Sequence, residues 1–126
     1  MVWLWLVGRV IFAVFFIYCG VNHFLNFRSM TQYAAYKKIP APGLGVFVSG
    51  LLLIGGGLSI LTGYLIQPAL IALAVFLIAS AVTIHDFWTL EDATARMGDM
   101  NQFLKNVALA AACLMLLEVT NWTWGL

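Results

Sequence analysis

Charge is what this chain has least of. Lys and Arg total 6 and Asp and Glu 5 among 126 residues, so charged side chains are 9% of the chain, against roughly 25% in ordinary soluble domains. A formal net charge of +1 leaves no basic face on which to track a polyanion, which excludes nucleic acid as a partner. Cysteine is nearly absent. The 2 cysteines, Cys19 and Cys113, sit inside apolar runs with no CxxC pair and no metal-type spacing, which predicts small buried hydrophobes. The 3 prolines stand at element edges: Pro40 and Pro42 stop a segment, and Pro68 suits the first turn of a helix.

What is present is apolar surface, 63% of all residues. Four runs approach the roughly 20 apolar residues that cross a bilayer: 2–22, 44–65, 68–85 and 101–122. They predict a single domain over residues 1–126, an all-α integral membrane protein built as a four-transmembrane-helix bundle. The first run has neither a basic region before it nor a small-residue cleavage site after it, so it is expected to remain as helix one. Between the first two runs, Phe24, Phe27, Tyr33 and Tyr36 alternate with Arg28, Lys37 and Lys38, the pattern of a short interfacial helix over Ser29 to Lys38. The connection 86–100 carries Glu91, Asp92, Arg96 and Asp99 and predicts a surface turn of helix ended by Gly98.

Four spans put both termini on one side and both long loops on the other. The loop side holds Arg28, Lys37, Lys38, Arg96 and Lys105, so the loops are expected in the cytoplasm and the termini outside a plasma (inner) membrane. Trp3, Trp5, Trp122 and Trp124 mark one interface and Trp88 the other. Gly55, Ser59 and Gly63 recur every four residues, a small-residue stripe suited to close helix packing in lipid.

The polar residues inside or capping the runs need partners. Arg9 lies roughly 10 Å into helix one, at a depth that matches Glu118 in the last run. A structural Arg9–Glu118 ion pair is expected, with snorkelling of Arg9 to headgroups as the alternative. At the other end gather Asn22, His23, Asn26, His85, Asp86, Asn101, Gln102, Lys105 and Asn106. Arg9, Phe16 and His23 follow at heptad spacing with a drift of about 20° per step, which turns His23 into the bundle. A cleft of Phe12, Phe16, His23, His85 and Trp88 would suit a flat ring with polar edges such as a quinone headgroup, with Asp86 tuning a histidine. The same polar groups are also what satisfies helix ends at the water boundary. No metal is expected, because His23, His85 and Asp86 come from separated segments without a ligand spacing.

The order of these features resembles the DoxX family of small four-helix membrane proteins. The resemblance rests on Gly8-Arg9 before an aromatic-rich helix, Gly20-Val21-Asn22-His23-Phe24, Ile39-Pro40-Ala41-Pro42, the glycine-rich second helix, His85-Asp86-Phe87-Trp88 and Phe103-Leu104-Lys105-Asn106. It implies a membrane protein associated with redox chemistry, since relatives include subunits of a thiosulfate:quinone oxidoreductase and a component of a membrane oxidoreductase complex. By matching position it makes Arg9, His85, Asp86, Trp88, Lys105 and Asn106 the family-like polar or interfacial residues. Many relatives carry a Glu before the glycine pair of helix two, where this chain has Leu53. The leading expectation is therefore a membrane protein supporting a redox assembly, as an anchor for an oxidoreductase partner or as part of a quinone-type pocket formed by His23, His85, Asp86, Trp88, Lys105 and Asn106. The alternatives are a non-catalytic scaffold subunit, with homo-oligomers open to it, and a small-solute transporter.

Overall fold

The computed structural model describes residues 1–124. Their elements are α1 (Val2–Leu25), α2 (Phe27–Tyr36), α3 (Pro42–Thr62), α4 (Ile66–Thr83), a 3-10 turn (Phe87–Thr89) and α5 (Ala93–Leu116). Three helical segments are long and apolar enough to cross a membrane: α1, α3, and α4 with the turn that follows it, Ile66–Thr89. The protein is thus an all-helical, multi-pass membrane protein whose apolar helices meet lipid.

The helix boundaries follow local chemistry. Gly63 ends α3 two residues before the expected limit, because it adopts φ +87 and donates its N–H to the Ser59 carbonyl at 2.8 Å, the left-handed cap that glycine accepts at no steric cost. Pro68 falls in the first turn of α4, where its missing N–H costs nothing. The fourth run begins eight residues before, and its helix ends six residues before, the expected 101–122. The Asp92 carboxylate accepts from the Ala95 N–H at 2.9 Å and starts α5 at Ala93 as an N-cap, and the helix then runs through Gly98, where an added Cβ meets nothing. Its last turn tightens into i→i+3 bonds at Leu117, Glu118 and Val119, as helix ends commonly do.

α1 packs along α3, α4 along α5, and α3 joins the two pairs, while α2 folds back on α3. Phe16, Leu70, Leu73 and Cys113 are fully enclosed between them. In lipid such contacts rest on close packing, since acyl chains are as apolar as leucine. The α1–α3 seam is made by glycine, at positions other than the expected stripe. A Cβ on Gly57 would lie 2.7 Å from the Ala13 carbonyl oxygen, and one on Gly20 would lie 2.7 Å from that of Gly50. Gly55 is exposed and would meet nothing. Gly63 serves as the cap of α3, with the Trp122 carbonyl 3.1 Å from where a Cβ would stand, and Ser59 supplies the carbonyl that the cap binds, so Gly55, Ser59 and Gly63 do not form one helix-packing face.

Candidate functional site

Where the two helix pairs diverge, beneath α2, the fold leaves a cavity of about 700 Å³. Its walls come from every helix. Phe15, Phe16, Cys19 and His23 face it from α1, Tyr33 from α2, Leu53 from α3, Phe76 from α4, and Lys105 and Asn106 from α5; His85 closes the end of α4. The wall is mostly apolar with a few converging polar groups and no carboxylate in its lining, the usual make-up of a small-molecule site.

Asn106 is its most telling member. It is only 5% exposed, and among the described residues its side-chain amide has no hydrogen-bond partner. The buried polar atom left without a partner is Thr31 Oγ1, so the Asn106 amide is open to the space it lines. A polar group that opens only into such a space is left for whatever occupies the cavity, water or ligand, to bond. The histidines are better anchored. His23 Nδ1 donates to the Cys19 carbonyl one helical turn away at 2.8 Å, and its ring edge meets Phe76 at 6.4 Å between centroids. His85 Nδ1 stands 3.5 Å from Asp99 Oδ1 on α5.

Several expected site residues play other parts. The Asp86 carboxylate makes no hydrogen bond to the ring of its neighbour His85; it binds Lys37 Nζ at 2.5 Å and also accepts from the Thr89 hydroxyl at 3.3 Å. Asp99 is the carboxylate beside His85. Trp88 lies outside the cavity, half exposed, packed edge-on against Phe87 and Phe103 at 5.3 and 5.8 Å. Phe12 belongs to a smaller cleft of about 310 Å³ beside Arg9. The sequence marks Asp99 only as a loop charge and Lys37 only as a basic residue of the interfacial helix, because what singles them out is a partner on another element.

The Arg9–Glu118 pair is not formed. Arg9 is 2% exposed, and its Nε and Nη2 donate to the carbonyls of Ile60 and Leu61 at 2.7 and 3.1 Å, with Nη1 3.5 Å from that of Thr123. Ile60 and Leu61 are in the last turn of α3, whose carbonyls have no partner within the helix. The guanidinium therefore caps α3 and complements its dipole. Trp122 and Trp124 lie 5.3 and 4.5 Å from the charge, ring centroid to Cζ, within cation–π range. Glu118 follows the end of α5, is exposed, and pairs with no described cation.

The arrangement combines an inward arginine in the first apolar helix, a glycine-sealed α1–α3 pair and a His-Asp exit from α4. A model of one family, DoxX, matches residues 4–86. The chain belongs to the DoxX family. The match takes in α1 to α4 and stops where the α4–α5 connection begins. No curated protein and no solved structure matched the chain. In this DoxX protein the Leu53 side chain, 3% exposed, is part of the cavity wall, and it adds only apolar surface there.

The Lys37–Asp86 contact fastens α2 over the cavity, with Lys37 Nζ also 5.6 Å from the Tyr33 ring. Burial pulls the Lys37 ammonium down, but the Asp86 hydrogen bond and the charges of Asp86 and Asp99 outweigh it, and its pKa stands above that of ordinary lysine. A raised folded pKa gives stability that is fully present below the unfolded value of about 10.4 and fades as pH climbs through the folded one. Lys37→Met is accordingly expected to lower stability by about 1 kcal/mol at neutral pH. Unfolding in detergent at neutral and strongly alkaline pH checks this: a deficit that persists undiminished at high pH would assign the loss to packing of the lysine stem.

Proposed function

We propose that this DoxX protein supports a redox assembly in the plasma membrane by holding a quinone-type ring in the cavity beneath α2. The observation that carries the reading is Asn106, a residue 5% exposed whose side-chain amide opens into an apolar cavity without a partner among the described residues. A quinone-type headgroup offers both a flat apolar body for Phe15, Phe16 and Phe76 and polar edges for Asn106, His23 and His85. Lys105, whose Nζ is 5.7 Å from the Phe15 ring, stands at the same wall. Asp86 and Trp88 act from outside it, Asp86 by fastening α2 and Trp88 by packing the connection to α5.

In the arrangement we propose, the fourth span is the expected 101–122, carried by α5 and the tightened turns that follow it, and α2 lies in the cytoplasmic interface with its basic residues toward headgroups. The loops with Arg28, Lys37, Lys38 and Arg96 are then cytoplasmic and the tryptophan-rich termini outside. A soluble or membrane-bound oxidoreductase is the partner that such a pocket would serve.

The test is what copurifies from mild detergent. Organic extraction of the wild type should yield a quinone or its reduced form in near-stoichiometric amount, and Asn106→Leu, which keeps the volume and removes the amide, should lose most of it while retaining the thermal unfolding midpoint. A wild type that carries no quinone-type molecule and does not take one up on addition would leave a scaffold subunit as the function, with the polar groups serving only the helix ends.

A further inference from the structure

The two cavity histidines are fixed in the same tautomer by the groups they touch. His23 Nδ1 is 2.8 Å from the Cys19 carbonyl oxygen, and a carbonyl only accepts, so that nitrogen carries the proton. His85 Nδ1 faces Asp99 Oδ1 at 3.5 Å, and a carboxylate anion likewise only accepts. A neutral imidazole has one proton, which leaves Nε2 of each ring with a bare lone pair. Neither Nε2 has a partner among the described residues, and neither is a sealed atom. Both rings line the cavity. The ring nitrogen that each histidine has free for a ligand is thus an acceptor, whereas Asn106 can donate or accept and the Lys105 ammonium on the same wall can donate to a hydroxyl or a carbonyl oxygen alike, so neither of these two discriminates.

The geometry points to a ligand that brings hydrogen-bond donors: an apolar ring bearing hydroxyl groups, the hydroquinone form of a quinone pair, held in preference to the carbonyl form. This rests on the quinone-type pocket proposed above and specifies which redox form it takes. Quinone carbonyls accept only, so they would face the Nε2 lone pairs with no proton between them. Hydroxyls donate to both. A site that bonds a hydroxyl rejects the analogue lacking it, because its own polar atoms are left unpaired. Asp99 is then a positioning residue that acts through His85, and the Cys19 carbonyl does the same for His23.

The experiment is an anaerobic titration of the full chain in mild detergent at about pH 8, where an ordinary imidazole with pKa near 6.5 is neutral. A decyl-substituted benzoquinone and the corresponding hydroquinone are the probes, read by tryptophan fluorescence and by the shift in thermal midpoint. The hydroquinone is expected to bind at least about tenfold more tightly. Asp99→Asn can donate its amide proton to Nδ1 and so allow the other tautomer, with Nε2–H toward the cavity. That variant should shrink the preference several-fold, and Asp99→Glu, which keeps an acceptor, should retain it. A purely structural Asp99 would instead weaken both probes equally. Quinone bound as tightly as hydroquinone by the wild type overturns the tautomer inference and leaves the cavity reading in place. Binding of neither probe overturns both.

Discussion

Replacing Arg9 by Met is expected to destabilise the protein by about 3 kcal/mol, roughly a hundredfold in the folded-to-unfolded ratio, because it strands the Ile60 and Leu61 carbonyls at a buried helix end. Each of those acceptors is charge-assisted now, at 2.7 and 3.1 Å. Arg9→Lys should recover only part of the loss, since an ammonium is a point donor where the guanidinium forks across two carbonyls. Glu118→Gln should be near neutral, as an exposed carboxylate without a partner contributes little. The decisive measurement is a double-mutant cycle by thermal unfolding in mild detergent. Additive losses fit the carbonyl clamp, whereas a double variant no worse than Arg9→Met, together with a damaging Glu118→Gln, would restore the ion pair.

The second large effect is expected at the α1–α3 seam. Gly57→Val inserts a branched side chain where even a Cβ would stand 2.7 Å from the Ala13 carbonyl and 2.6 Å from the Ile17 side chain. Backbone cannot move aside as a flexible side chain can, so the two helices must separate, at a cost of about 3 kcal/mol. Gly57→Ala should cost less but in the same direction. Gly55→Ala, two residues away on the exposed face, should be neutral or stabilise by up to about 1 kcal/mol, the helix propensity gained over glycine. Equal tolerance at 55 and 57 would mean that α1 and α3 do not meet along this line.

What was readable in the sequence divides along physical lines. Apolar length located α1, α3 and α4 within a few residues, and alternation of aromatic and basic residues located α2, because these are properties of a segment by itself. The heptad step from Arg9 through Phe16 to His23 placed all three on the inward face for the same reason. Tertiary partners were not readable. The acceptors of Arg9 are backbone carbonyls, which every residue carries and no letter announces, whereas the carboxylate of Glu118 at matching depth is visible in the sequence. The stripe at Gly55, Ser59 and Gly63 misled because a spacing of four finds a face without saying which face is inward. The true seam uses Gly57 with Gly20 of another helix. Asp92 did carry a readable cap signal, and giving it weight would have started α5 at the right place.

The boundary of the family match has a consequence for how the protein can vary. Residues 4–86 contain the arginine, the α3 carbonyls that hold it and the glycines that join α1 to α3. Asp99, Lys105 and Asn106, which furnish or orient polar groups at the cavity, all arrive on α5, beyond that boundary. His23 and His85 stay within the matched stretch, and α5 also gives Ala110 and Cys113 to the core. In the pocket proposed above, grafting α5 between members of the family would therefore exchange one part of the polar wall and keep the other, provided the new helix carries equally small residues where it meets α4.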